Sequence, residues 1–385
     1  MLFRSSVPVH GGVLLDMTAL DGIVEVDHDS MLVRVLPGTF GTWFEETLRA
    51  EHGVTAGHWP QSIDLSTVGG WIACRGAGQY STRYGKIEDI VAGLEVVLAD
   101  GRIIRTGGAP RAAVGPDLTQ LFVGSEGTLG IITEITVRLY GIPAATSSAM
   151  CSFPSVKDAV DTVIQTIQSG IPVARIELAD AVQMDAINKY SKLNQPVAPT
   201  LWLEFHGTEA SVAEQAEMVQ ALAAEHGGAN FSWTTSPEER KKLWQARHDA
   251  AWANKALRVG AQVWATDVCV PISRLAECIV ETQKDIEQSF LPAPIVGHVG
   301  DGNFHLTLVL KPEDPKEVAE AERLNDRLVK RALAMEGTCT GEHGVGYGKL
   351  DFLIAEHGEA VSVMRSIKHA LDPDNIFNPG KIIRV

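Results

Sequence analysis

The pattern of apolar residues changes character near Pro143, and that change limits what the chain can fold into. Before it, short apolar stretches stand between glycine-rich loops. "GVLLDM" (12–17), "MLVRVLP" (31–37) and the alternating "IITEITVRL" (131–139) read as strands. "LEVVLADGRIIRT" (94–106) is two apolar runs about Asp100-Gly101, which signals a hairpin. Beyond Pro143, strands alternate with long helical stretches. The spacing predicts helices over 155–170 with Ser155 as N-cap, over 236–257 opening Ser-Pro-Glu-Glu, and over 314–337 opening Asp314-Pro315 and stopping at Gly337. "TLWLEFHG" (200–207) alternates like a strand. The expected class is α+β in two domains, as a chain of 385 residues also suggests.

The net charge of −15 excludes the basic footprint of a nucleic-acid binder and disfavours an anionic membrane surface. Five cysteines, far apart and without a CxxC pair, read as free thiols in a reducing compartment. No apolar run approaches the roughly 18 residues of a transmembrane helix, and the first residues carry no secretory h-region.

The chemistry-bearing residues fall in a few clusters. In "GHVGDGNFH" (297–305), a two-residue turn at Asp301-Gly302 would set His298 opposite His305, with Cβ atoms ~4.5–5.5 Å apart. That spacing suits two imidazoles sharing a cation; the plainer reading is two histidines facing each other across a hairpin. "GTCTGEHGVGYGK" (337–349) places Glu342 and His343 in a loop with five glycines. A carboxylate and two imidazoles would make an open three-ligand site, although spacing does not show that the clusters meet. "GSEGTLGIITE" (124–134) and "DLSTVGGWIACRGAG" (64–78) suit backbone contact with a phosphate-bearing or planar cofactor, or are tight turns in a β-rich domain. Neither is a Rossmann fingerprint or a Walker loop. Arg247 lies on the helix expected over 236–257, where it could hold a carboxylate or make an ordinary salt bridge.

Together, "GSEGTLGIIT", "STVGGW", "RYGKIEDIV", "GHVGDGNFH", "GEHGVGYGK" and "NPGKI" resemble the FAD-linked oxidases of the vanillyl-alcohol-oxidase superfamily. The second half, with "PVARIELAD", "TDVCVPISRL" and "HALDPDNIFNPGK", resembles their D-lactate dehydrogenase (cytochrome) branch. The resemblance implies a PCMH-type FAD-binding domain over 1–143, incomplete at its N-terminus, an α+β cap domain of the FAD-linked oxidase C-terminal type over 144–350, and a segment, 351–385, that returns to the flavin domain. It implies a divalent metal (zinc, manganese or iron) held by His298, His305 and Glu342, with His343 as base and Arg247 on the substrate carboxylate. Pro60, Ser66, Thr67, Gly69, Gly70, Gly124, Ser125, Gly127, Thr128, Ile131 and Asn378 would bind FAD.

The implied activity is oxidation of a small D-2-hydroxy acid, D-lactate foremost, with electrons passed to cytochrome c, a quinone or an electron-transfer flavoprotein, in the cytoplasm or a mitochondrion. Family members carry a further segment, with a glycine-rich pyrophosphate loop, before the counterpart of "VPVHGG". Its absence raises the expectation of a truncated chain that binds FAD weakly or is inactive. Glycolate and 2-hydroxyglutarate are alternative substrates, although Ala265 stands where 2-hydroxyglutarate enzymes resemble a lysine-bearing "YKYDL". "GHWPQSIDLSTVGGWI" resembles alkylglycerone-phosphate synthase, whose histidine run is replaced here by "GEHG".

Overall fold

The computed structural model describes residues 7–108 and 112–384. It divides into two compact units. The central unit is Pro143–Cys339, and the discontinuous unit combines residues up to Ile142 with those from Thr340 onward. The chain thus returns to the discontinuous unit at Thr340, where the sequence reading places the return at 351.

The discontinuous unit is built on a five-stranded antiparallel sheet, in the order Ile23–Asp27, Leu32–Val35, Ile131–Arg138, Val91–Val97, Ile103–Gly107. The expected 94–106 hairpin forms, with Val97 opposite Ile103 and Gly101 at φ +82° closing the turn. Val33, Val35, Leu94, Val96, Ile135 and Val137 alternate onto one face and are buried against Phe44, Trp71, Ile72, Ile87 and Phe122. Residues 12–17 do not form a strand. Val13 and Leu14 are 97% and 72% exposed, and no strand among the described residues offers them a ladder. The outermost strand is instead Ile23–Asp27.

The central unit holds an eight-stranded antiparallel sheet. Its order is Ala229–Thr234, Ala145–Ser152, Thr200–Gly207, Val173–Ala179, Ile295–Gly297, Asn303–Leu310, Gln262–Ala265, and Val268–Cys269 also pairs with Asn303–Leu310. Every residue of Val173–Ala179 and Asn303–Leu310 is buried, so these strands are covered on both faces. Helix Glu209–Glu225 lies on one face, with Val156–Gln168 between it and Ile272–Glu287. On the other, Trp202 and Ala179 pack with Met184, Ile187, Trp244 and Ala250 from helices Ala181–Ser191, Pro237–His248 and Ala250–Ala256.

The caps read from the sequence form. Ser155 accepts from Asp158 N, Ser236 from Glu239 N, and Asp314 from Lys316 N. Gly337 N bonds to Ala332 O just past the last helical turn. The helix expected over 236–257 is two helices, broken at Asp249. The Asp249 side chain accepts from Ser191 Oγ at 3.1 Å and from Gln245 Nε2 at 2.9 Å, which holds the chain at the bend.

Candidate active site

In the central unit, strand Val173–Ala179 carries Arg175 and Glu177 although the whole strand is buried. Two residues apart, they share a face. That face meets the helix Pro237–His248, where Arg247 Nη2 lies 2.6 Å from Glu177 Oε2. The other carboxylate oxygen, Oε1, lies 2.6 Å from His298 Nδ1. Burial alone would push the Glu177 carboxyl up; the charges of His298 and Arg247 outweigh it and hold the pKa below the ordinary carboxylate range. Glu177 is therefore an anion, and His298 donates its Nδ1–H to it.

The turn after His298 is not the two-residue turn expected from Asp301-Gly302. Val299–Asp301 form a 3-10 turn, closed by Gly302 at φ +80°. Gly302 O accepts from Val270 N at 3.1 Å, and a Cβ on Gly302 would stand 2.2 Å from Val270 O. The register is accordingly Val296 opposite His305, two residues from the 298/305 pairing expected. A shift of two preserves the face. The rings of His298 and His305 still meet edge to face, with centroids 6.0 Å apart. His305 Nδ1 lies 2.7 Å from Thr266 O, a pure acceptor, so this nitrogen too carries the proton. In their neutral forms both rings thus place their lone pair on Nε2. Two imidazoles whose Nδ1–H groups are fixed by oxygen acceptors are the donor chemistry a divalent cation takes, and the residues fit such an ion.

Arg247 is buried on Glu177 rather than exposed on a helix face. A guanidinium carries five N–H donors, so this contact is compatible with a second anion. Behind it, Arg175 stacks on Trp244 at 3.3 Å from the ring centroid and pairs with Glu204 at 2.7 Å. Glu204 also meets His206 Nε2 at 2.9 Å, while Trp244 Nε1 donates to Ser148 Oγ at 2.9 Å. This network fixes the helical turn that precedes Arg247. Ala265 ends the strand Gln262–Ala265, opposite Thr307.

In the discontinuous unit, helix Val68–Cys74 links the two stretches expected to bind a cofactor. Thr67 caps it by accepting from Gly70 N at 3.3 Å. Gly69 is required by a close approach, since a Cβ there would meet Pro37 O at 2.7 Å. Ser66 Oγ accepts from Trp71 Nε1 at 2.8 Å, and Pro60 O accepts from Ile63 N. At the other end of the helix, Gly124 N and Glu126 N bond to Ile72 O and Ala73 O, each at 2.9 Å. Thr128 Oγ1 donates to Ser125 O at 2.6 Å, and Ile131 opens its strand opposite Val97. Asn378 reaches this loop, its Nδ2 donating to Glu126 O. The structure therefore gathers Gly124, Ser125, Gly127, Thr128 and Asn378. Thr67, Gly69 and Gly70 lie toward the N-terminal end of the same seven-residue helix, roughly 3–8 Å of helix rise from Ile72.

Glu342 and His343 also belong to the discontinuous unit. His343 Nε2 lies 3.5 Å from Glu342 Oε1, and Lys86 Nζ donates to Gly341 O at 2.9 Å.

His58 is a residue the sequence did not single out. It is 2% exposed, packs its ring 4.9 Å from that of Trp71, and neither ring nitrogen has a hydrogen-bond partner among the described residues. A buried nitrogen of this kind suits a polar cofactor of the FAD type. Burial pushes the imidazole down to about 4, against a smaller upward pull from Glu342. The unfolded chain takes up this proton near pH 6.5 and the folded chain only near 4, so stability falls as pH drops through that window. The loss approaches roughly 3 kcal/mol. The melting temperature should therefore fall from pH 7.5 to pH 4.5, and by less in His58→Asn; equal falls would refute the assignment.

Comparison with known proteins settles the family. The family described as "FAD linked oxidases, C-terminal domain" matches residues 142–382, and "FAD binding domain" matches residues 2–107. The chain belongs to the FAD-linked oxidases. A Danio rerio protein named probable mitochondrial D-lactate dehydrogenase is 46% identical over 98% of this chain and 76% of its own length. An Arabidopsis thaliana mitochondrial D-lactate dehydrogenase (cytochrome) is 45% identical over 97% of this chain and 66% of its own. The chain spans 55% of the Saccharomyces cerevisiae D-lactate dehydrogenase (cytochrome) 1, at 41% identity over 82% of this chain. The fold of this FAD-linked oxidase is shared with p-cresol methylhydroxylase, at TM-score 0.76 and 19% identity over 97% of this chain and 80% of that one. It is shared too with alkyldihydroxyacetonephosphate synthase, at TM-score 0.71 and 22% identity over 94% and 67%. Among the described residues no helix is long and apolar enough to cross a membrane.

Proposed function

We propose that this chain oxidises a D-2-hydroxy acid, D-lactate foremost, to the 2-keto acid. The observation that carries the proposal is 46% and 45% identity, over nearly the whole chain, to two proteins named D-lactate dehydrogenases. When bound, FAD supplies the two-electron acceptor for the hydride that leaves C2, and a divalent cation supplies a Lewis acid for the C2 hydroxyl.

The chain's own residues do the rest. His298 and His305 offer Nε2 to the cation, held in that tautomer by Glu177 and Thr266 O. Glu342 is the third ligand in this reading. His343 takes the hydroxyl proton. Arg247 binds the substrate carboxylate. The residues expected at the flavin, from Pro60 to Ile131 with Asn378, hold the cofactor. Electrons then pass to a one- or two-electron acceptor such as cytochrome c, a quinone or an electron-transfer flavoprotein. The relatives named mitochondrial favour that compartment. D-lactate is placed before 2-hydroxyglutarate because Ala265 offers no cation for a second carboxylate.

The test is the visible spectrum of the purified protein, before and after anaerobic D-lactate. An oxidised-flavin band should bleach with D-lactate, and more slowly with glycolate or D-2-hydroxyglutarate. A flavin that stays oxidised with D-lactate, or protein that stays colourless when given FAD, would overturn the reading.

A further inference from the structure

The Glu126 side chain is given no role by the function proposed above, yet it is buried and both of its carboxylate oxygens are engaged. It is 4% exposed. Its Oε1 accepts from Val345 N at 2.6 Å and its Oε2 from Gly346 N at 2.9 Å. Two successive backbone N–H groups converging on one anion form the kind of concavity that selects a negative charge. Gly344 must be glycine for this contact: a Cβ there would stand 2.7 Å from Glu126 Oε1, and its φ is +73°. The other end of Glu126 is equally committed. Its backbone N bonds to Ala73 O and its carbonyl accepts from Asn378 Nδ2. Glu126 sits at φ +49° and Asn378 at +40°, left-handed conformations that side-chain-bearing residues adopt at a cost of order 1 kcal/mol. Ile382 N closes the cluster by bonding to Gly346 O at 2.8 Å.

We propose that Glu126 is a positioning residue, whose carboxylate ties the segment bearing Glu342 and His343 to the loop Gly124–Thr128. The proposal rests on the reading above, in which that loop holds FAD and His343 is the base. Its consequence is that this side chain contributes directly to the register between base and cofactor. A glutamine at 126 would keep one acceptor and turn an NH2 group toward the other N–H, so the grip needs both carboxylate oxygens.

The test compares wild type, Glu126→Gln and Gly344→Ala as FAD-loaded full chains. The first readout is amide hydrogen exchange over 341–347. The second is the rate of flavin bleaching as a function of D-lactate concentration and pH. In Glu126→Gln the Val345 and Gly346 amides should exchange about tenfold or more faster, as released amides do. The saturating bleaching rate should fall about 10–100-fold, the loss expected from a misplaced reacting group. The half-saturating D-lactate concentration should change little, and the limb of the pH profile due to the base should move. Gly344→Ala, which pushes the carboxylate off the amides without removing its charge, should give the same signature, and it decides the matter where Glu126→Gln fails to fold. Unchanged exchange would overturn the tether. Faster exchange with an unaltered rate and pH profile would overturn the positioning role. If wild type itself is not reduced by D-lactate, the substrate reading fails, and the exchange arm still judges the tether by itself.

Discussion

Glu177→Ala should destabilise the central unit by about 3–5 kcal/mol, the range for removing one partner of a buried ion pair. Glu177 is fully buried, and its two oxygens serve Arg247 and His298 separately. Alanine leaves the buried Arg247 guanidinium without that anion and takes the acceptor from the Nδ1–H of His298. The second loss reaches the proposed metal site. Without the carboxylate, nothing in that contact holds the His298 proton on Nδ1 or fixes the ring, and divalent-metal affinity should fall about 10–100-fold. Glu177→Gln separates the effects. The amide oxygen can still accept from His298, so metal retention should suffer less than in the alanine variant, while Arg247 still loses its counter-charge. Calorimetric melting and metal content after dialysis measure the two. A variant that melts like wild type would contradict the burial argument, and full metal content in Glu177→Ala would contradict the role assigned to His298.

This pair also shows how far the sequence can be read. The helix caps, the 94–106 hairpin and the strand at 131 were legible because each depends on residues close in the chain: Ser155, Asp314, and Asp100-Gly101 carry their own local physics. The apposition of His298 and His305 was legible for a subtler reason. Its register was expected two residues out, because the Val270 contact that draws Gly302 into a longer turn is a tertiary one. The alternation of faces survives a shift of two, so the two rings meet all the same. Glu177 was missed, although a signal existed: Arg175 and Glu177 sit two apart in an otherwise apolar strand, and two charges on the same face of a buried strand call for partners. Which partners they are depends on strand order and on a helix some 70 residues further on, and neither follows from periodicity. The apolar "GVLLDM" failed in the opposite sense. Its composition suits a strand, but a strand exists only where a neighbouring edge receives it.

Lys368→Met should cost a comparable 3–5 kcal/mol or so in the discontinuous unit, by the same asymmetry. Lys368 is 1% exposed. Its ammonium spends all three donors on Asp372, Thr128 O and Phe377 O. Asp372, equally buried, accepts in addition from Ile376 N and Phe377 N. Burial alone would push the Asp372 carboxyl up; Lys368 and these backbone N–H groups outweigh it and hold it below the usual carboxylate range. A depressed carboxylate stabilises the fold above its unfolded pKa, near 4, and loses that contribution as pH falls through the folded value. The gap between wild type and Lys368→Met should therefore be widest at neutral pH and narrow below about pH 4. Lys368→Met with Asp372→Asn should recover part of the loss, since a neutral amide is cheaper to bury than an unpaired carboxylate. On the proposed reading, in which the Gly124–Thr128 loop holds FAD, the effect on function runs through Thr128. Lys368 anchors the carbonyl that ends the Gly124–Thr128 loop, and through Phe377 it sets the residue before Asn378. Flavin retained after gel filtration should fall in the single variant along with its melting temperature. A protein that melts lower but keeps its full flavin would limit Lys368 to packing and detach its helix, Ala360–Leu371, from the proposed hold on the cofactor.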